Sequence, residues 1–339
     1  MSHNHDNFSV IVSEPKDAII EISGTINAET IENHRKKVIE SVAKEADVPG
    51  FRKGHAPKDI IEKQIDQNHV LEDAAEEALS EVYPHILHMH SITPTSAPRV
   101  TIVKLALGNP LEFKITVAVA PEVKLPNYKK IAKQIKSKEI KVEVTDTDVE
   151  NVIKELQELR KDENGTIPEI TDDFVKTLGN FESVHDFKTK LKENIKNEKE
   201  SNASRENFEA LVKQLVSESK ITLPLPMVDD EVYASLNRLT KDLEKHKMSL
   251  EDYFKNIKKT EEEFIKAKRE SIEEQLKTKF IIQEIAKEEK IIPDTEQIEA
   301  ETKQAMMHYP NLNPEDFKTY IEETLTNEKT LRWLEKAEF

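Results

Sequence analysis

The 339 residues contain no cysteine, so neither a disulfide framework nor a thiolate zinc site can form. Glycine occurs six times, tryptophan once, and aromatic residues make up only 6% of the chain. With abundant Glu, Lys, Ile and Leu, that scarcity favours a helix-rich and rather open protein. No apolar run approaches the roughly 20 residues that span a bilayer, so no membrane partner is expected. Residues 1–6 show no basic stretch leading into an apolar core, which excludes a secretory signal and points to the cytoplasm. Phosphate-binding glycine loops, dinucleotide fingerprints, nucleophile elbows and H-E-x-x-H pairs are all missing. An ATP-driven cycle, a catalytic centre and a cofactor are therefore not expected.

Positive charge is in deficit. Lys and Arg number 50 against 66 Asp and Glu, for a net charge of −16. That balance argues against nucleic-acid binding through the bulk surface. Charged residues make up 34% and hydrophobic residues 37%, a polar composition. Apolar residues nonetheless recur with helical period through most of the second half, so the chain folds. Its length allows two or three domains.

Residues 8–13 and 18–23 are Val- and Ile-rich and predict a β-hairpin. Asn27 can cap a helix to about residue 46, with Ile31, Val38, Ile39 and Val42 on one face. Pro57 suits the start of a helix over 58–67, and a further helix covers 69–90, with Pro84 inside it. Strands are predicted at 99–105 and 112–119. The two prolines of 120–126 favour an extended path, and 131–144 alternates weakly as an extended arm. Thr145 to Asp148 resembles a capping box opening a helix to about residue 160. From Thr171 onward helices dominate, with caps at Ser183, Ser249, Thr260 and Asn313. Two of these helices, over 183–217 and 260–289, exceed ordinary globular lengths and must protrude or pack as arms. His3 and His5 are expected in a disordered terminus.

Between the first two helices runs Val48-Pro-Gly-Phe-Arg-Lys-Gly-His-Ala-Pro57. Two of the six glycines stand here, four positions apart, and residues 48–58 carry three cations and no anion. Gly50 and Gly54 supply backbone angles without a Cβ penalty, and the prolines stiffen the flanks. Such a tip presents Phe51, Arg52 and Lys53 outward as an interface, with Phe supplying buried area and Arg forking onto carboxylates. The alternative is a plain helix–helix turn whose Phe tucks into its own core.

Gly50-Phe51-Arg52-Lys53-Gly54 followed by Pro57 resembles the ribosome-docking motif of the trigger factor family, bacterial chaperones at the peptide exit tunnel. The element order around it agrees, and residues 92–98, 119–125, 142–149, 167–174, 176–179 and 223–232 resemble other family segments. The resemblance implies an α+β ribosome-binding domain over 1–119 and a mostly α-helical, elongated chaperone domain with long protruding helices over 168–339. Between them, 120–167 would be an extended linker and helix. The family places a prolyl-isomerase domain of the FK506-binding type there, but only 161–167 fills its place. A domain of that kind needs on the order of 100 residues. The chain is thus expected not to be an enzyme, and the family's C-terminal tail is expected to be shortened.

By the same resemblance, Phe51, Arg52 and Lys53 contact the large ribosomal subunit, at the exit-tunnel protein and nearby ribosomal RNA, while Gly50 and Gly54 shape the loop. The implied function is an ATP-independent chaperone for nascent and unfolded polypeptides, with a homodimer off the ribosome. Met227, Tyr233, Met306, Met307 and Tyr309 are candidate client contacts, because Met adapts to varied partners. Each could equally be ordinary helix core. A helical scaffold or adaptor, with neither ribosome nor client binding, is the competing reading. His85 and His88, at i and i+3 with His90 and His69 nearby, read as a solvated helix end rather than a metal site, which needs three or four ligands in defined geometry.

Overall fold

The structure, a computed structural model, describes residues 2–4, 7–46, 51, 60, 65–137, 143–161, 167–308 and 313–339. It begins with strands β1 (Ser2–Asn4), β2 (Phe8–Val12) and β3 (Ile19–Ile26), followed among the described residues by helices α1 (Ala28–Glu45) and α2 (Gln67–Met89). Strands β4 (Arg99–Lys104) and β5 (Leu111–Ala118) complete an antiparallel sheet of order β1-β2-β3-β5-β4. Along β5, Leu111, Phe113, Ile115 and Val117 are buried and alternate with half-buried Glu112, Lys114 and Thr116. That period of two turns one face of the sheet to a helical layer. Ile22, Ile26, Phe113 and Ile115 meet Ala75, Ala78, Val82 and Ile86 of α2 in the main core. The helix starts follow local chemistry: Asn27 Oδ1 accepts from the Thr30 amide at 2.8 Å, and Asp66 Oδ1 accepts from Asn68 at 2.9 Å.

Two expectations need correction. Residues 2–4, His3 among them, pair with β2, Ser2 opposite Ile11, rather than being disordered, and His5 lies outside the described residues. Backbone pairing onto an open strand edge needs no side-chain signal. After the two-residue strand β6 (Val123–Lys124), residues 131–137 of the arm expected to be extended over 131–144 lie in a helix, α3 (Tyr128–Ser137), and 138–142 lie outside the described residues. Ile131 and Ile135 fit a strand period and a helix period alike. Burial of Tyr128, Ile131 and Ala132, three and four apart, decided for the helix.

Next come α4 (Asp146–Glu158), α5 (Asp172–Leu178) and the 35-residue α6 (Val184–Glu218). The predicted capping box is present: the Asp148 amide donates to Thr145 Oγ1 at 3.2 Å, and the Thr145 amide to Asp148 Oδ2 at 2.8 Å. Strand β7 (Lys220–Ile221) pairs with β6. Helices α7 (Leu225–Lys245), α8 (Leu250–Ile257), α9 (Glu261–Glu289), α10 (Thr295–His308) and α11 (Pro314–Lys336) complete the chain. The Ser183, Ser249, Thr260 and Asn313 side chains each accept from a backbone amide of the following turn, as their sequence positions predict.

The chain groups into two compact units, residues 1–124 with 220–280 and residues 125–219 with 281–339. In the first, a small core of Val228, Val232 and Ile272 holds α7 against the start of α9. In the second, Val149, Ile153, Val175, Phe187 and Ile195 join α4, α5 and α6, and Ile298, Ile321 and Leu325 join α10 to α11.

Candidate functional site

Helices α1 and α2 run antiparallel. His34 of α1 faces Glu77 and Glu81 of α2. Further along α1, Val38, Ile39 and Val42 meet Val70, Ala74 and Ile65 at the start of α2. The intervening segment therefore leaves and returns at one end of the pair. Within it, Phe51 is described and its side chain is exposed, at 40%. Gly50, Arg52, Lys53 and Gly54 lie outside the described residues, as does the predicted helix over 58–67 apart from helical Ile60 and residues 65–67.

The helix pair is also tied by polar contacts. Arg35 Nη2 donates to Gln67 Oε1 at 2.8 Å, and Arg35 Nη1 lies 3.1 Å from Glu32 Oε1. His34 is buried with both ring nitrogens facing carboxylates, Nδ1 at 3.5 Å from Glu77 and Nε2 at 3.3 Å from Glu81.

The candidate client residues fall in different settings. Tyr233 on α7 is 67% exposed and Met307 on α10 is 71% exposed. Met306 is half-buried. Met227 is buried, so in this structure it offers no surface to a client. Tyr309 lies outside the described residues. His85 and His88 are exposed on α2. No group of three or more His, Asp or Glu poised for a metal is found among the described residues.

Other features escaped the sequence reading. All six residues of β4 are exposed, including Val100, Ile102 and Val103; alternation marked the strand but not its place at the sheet edge. Arg99 lies 3.1 Å from Asp230, and Asp229 accepts from Arg269 at 2.7 Å; the Asp-Asp doublet was the available signal. An open cleft of about 690 Å³ between α8 and α9 is lined by Leu250, Phe254, Lys255, Lys258 and Thr260. In the second unit, the Tyr128 hydroxyl donates to Glu289 at 2.5 Å and Glu288 at 3.0 Å. Burial, and then these two acceptors, push the phenol's pKa up. Lys129 lies 2.7 Å from Glu289 and within 6.0 Å of the Tyr128, Trp333 and Phe339 ring centres. Lys129 first, and then the Tyr128 hydroxyl, hold the Glu289 carboxyl below its ordinary value. The cluster is a clamp between α3, the end of α9 and α11.

A sheet backed by two helices, followed by long capped helices, is also the architecture of a solved chaperone. The structure described as "Promiscuous Substrate Recognition in Folding and Assembly Activities of the Trigger Factor Chaperone" is similar at a TM-score of 0.55, with 18% identity, over 96% of this chain and 99% of that one. The fold is therefore of the trigger factor class. The family model "Bacterial trigger factor protein (TF)" matches residues 9–156, and "Bacterial trigger factor protein (TF) C-terminus" matches 183–338. Trigger factors of Clostridium botulinum (strain Loch Maree) and Clostridium kluyveri (strain ATCC 8527) are 24% and 23% identical. The first alignment covers 92% of this chain and 95% of the relative, the second 96% and 98%. The chain belongs to the trigger factor family of chaperones.

The alignments also measure what is missing. The first is 412 positions long, yet 92% of 339 residues is about 312, so about 100 positions face no residue of this chain. Residues 157–182 are all that separate the two family matches. That is too short for a domain of about 100 residues, and it fits a trigger factor without the isomerase domain.

Proposed function

We propose that this chain is a cytoplasmic, ATP-independent chaperone that docks on the large ribosomal subunit near the polypeptide exit and shields nascent or unfolded chains. Residues 1–119 dock, 120–167 connect, and 168–339 shield. Phe51, Arg52 and Lys53 are the ribosome contacts, at the exit-tunnel protein and adjoining RNA, with Gly50 and Gly54 shaping the tip. Tyr233, Met306, Met307 and Tyr309 contribute to client contact, and unbound copies pair as a homodimer. The chain carries no prolyl-isomerase activity.

The observation that carries this reading is Phe51, a large apolar side chain left exposed in the segment that joins α1 to α2. It stands beside two cations in a family whose members are chaperones. An exposed aromatic beside Arg is interface chemistry, and cations at an RNA-rich rim speed association and make it salt-dependent. Co-sedimentation with 70S ribosomes tests it. Wild type is expected to pellet at low salt, less so as salt rises, and the Phe51→Ala/Arg52→Ala/Lys53→Ala variant is expected to stay in the supernatant. Unchanged pelleting of the variant would remove the assignment of these residues. Failure of the wild type to pellet would favour a helical scaffold or adaptor.

A further inference from the structure

Strand β4 ends the sheet. Its inner edge pairs with β5 in a ladder that is regular from Arg99 opposite Thr116 to Ile102 opposite Phe113. Its outer edge has no strand partner among the described residues. Natural sheets blunt such an edge with proline, mid-strand charge, a very short strand or a cover. Residues 100–103, Val-Thr-Ile-Val, carry no charge and no proline. The irregularity between Ile102 and Lys104 falls at the far end.

The side chains on this edge are as open as the backbone. Val100 and Ile102 pair with Ile115 and Phe113, so they stand on the face that the helices cover elsewhere. There Ile115 and Phe113 are buried, yet Val100 is 47% and Ile102 40% exposed, and Val103 is 62% exposed. The helical layer stops short of the last strand. At the head of the strand, Arg99 bonds to Asp230 and so brings α7 alongside, with exposed Tyr233 one turn further along that helix.

We propose that the outer edge of β4 is a strand-addition site for extended, apolar segments of unfolded polypeptide. The proposal rests on the client-holding reading above and names the site and the conformation bound. A row of unpaired N–H and C=O groups recognises any extended backbone, whatever its sequence, and flanking apolar side chains add affinity for alternating apolar residues. That is the chemistry a binder of diverse unfolded chains requires. A second copy of this chain is a poorer occupant. Antiparallel pairing of two β4 edges over their full length sets Arg99 opposite Lys104 at both ends, and like charges directly opposed destabilise a ladder. Each copy also carries −16. The same two cations suit a segment with acidic residues at its ends.

Two labelled peptides and one unfolded protein test this on the full chain. The first peptide is a fluorescein-labelled nonamer of alternating valine and threonine with aspartate at each end. The second has the same side chains but is N-methylated at alternate residues along one edge. Carboxymethylated α-lactalbumin is the unfolded protein. Anisotropy is expected to show the first peptide binding and the second binding about tenfold or more weakly, because several backbone hydrogen bonds are removed. Hydrogen exchange of residues 99–104 is expected to slow on adding the first peptide. Val100→Lys/Ile102→Lys, which alters only exposed positions, is expected to weaken peptide binding several-fold, while Ile292→Lys leaves it unchanged.

Equal affinity for the two peptides would overturn strand addition in favour of side-chain adhesion. Slowed exchange at 99–104 that grows with protein concentration alone would assign the edge to a second copy. α-Lactalbumin binding with unchanged exchange at 99–104 would overturn the site and leave the client-holding reading intact. Absence of α-lactalbumin binding would remove both.

Discussion

Gly24 shows how one residue sets a spacing. It lies in β3 opposite Val10 of β2 and Phe113 of β5. A Cβ built there would stand 2.6 Å from the Ser9 carbonyl oxygen and 2.8 Å from both the Phe113 ring and a Val10 methyl. The ring and methyl could turn aside, but the backbone carbonyl cannot move without opening the β2–β3 ladder. Gly24→Ala is therefore expected to destabilise the protein by about 1–3 kcal/mol, the range for overpacking, read as a lower urea midpoint. Asp148 makes a second prediction. Lys199 first, and then the Thr145 amide and hydroxyl, hold its carboxyl at about 2 against an ordinary 3.8. A carboxyl depressed in the folded state adds stability above its unfolded pKa and loses it as pH falls through the folded value. The melting temperature is expected to drop between about pH 4 and pH 2, and Asp148→Asn is expected to drop less across that window by circular dichroism. Single residues were partly legible in advance. The Thr145–Asp148 box was readable because its partners are three apart in sequence. The burial of Met227 was not, because a helix stripe does not say which side is covered.

At the scale of the element, long helices were the clearest signal and local caps the most dependable boundary. α6 starts one residue after Ser183 and α9 one residue after Thr260, where a side-chain oxygen meets a free amide of the first turn. Its 35 residues give α6 a length of about 52 Å. Its buried residues are Phe187 and Ile195 toward one end and Leu211 and Leu215 toward the other, with none between 196 and 210. Helical stability in water comes mainly from burying one face. Amides of 197–209 are thus expected to exchange with solvent faster than those around Leu211 and Leu215, by hydrogen exchange followed by mass spectrometry. Similar protection along the whole helix would show that 196–210 is covered in solution. The extended arm expected over 131–144, which is helical over 131–137, belongs to this scale too. Its apolar residues fit both periods, and only the partners of Tyr128 and Ile131 could choose between them.

At the scale of the whole molecule, the family match and the shortened middle carry the functional consequence. The chain keeps both trigger factor matches and has 157–182 between them. A domain of about 100 residues cannot be folded from that stretch. The expected outcome is no acceleration of a proline-limited peptide isomerisation beyond the uncatalysed rate, in an assay where a known prolyl isomerase is active. A clear acceleration by purified protein would place a twisted-amide pocket elsewhere in the chain.

The sequence by itself determined the helical bias, the cap positions, the strand alternation, the loop chemistry around Phe51 and the family. Each is written in residues near one another in the chain, where side-chain period and hydrogen-bonding reach decide the outcome. Tertiary structure alone decided that β4 is the sheet's last strand, that α3 is a helix, that Arg99 meets Asp230 across 131 positions, and that Met227 is buried while Tyr233 is not. Those depend on which surfaces find a partner, and burial is a property of the packed pair rather than of either residue.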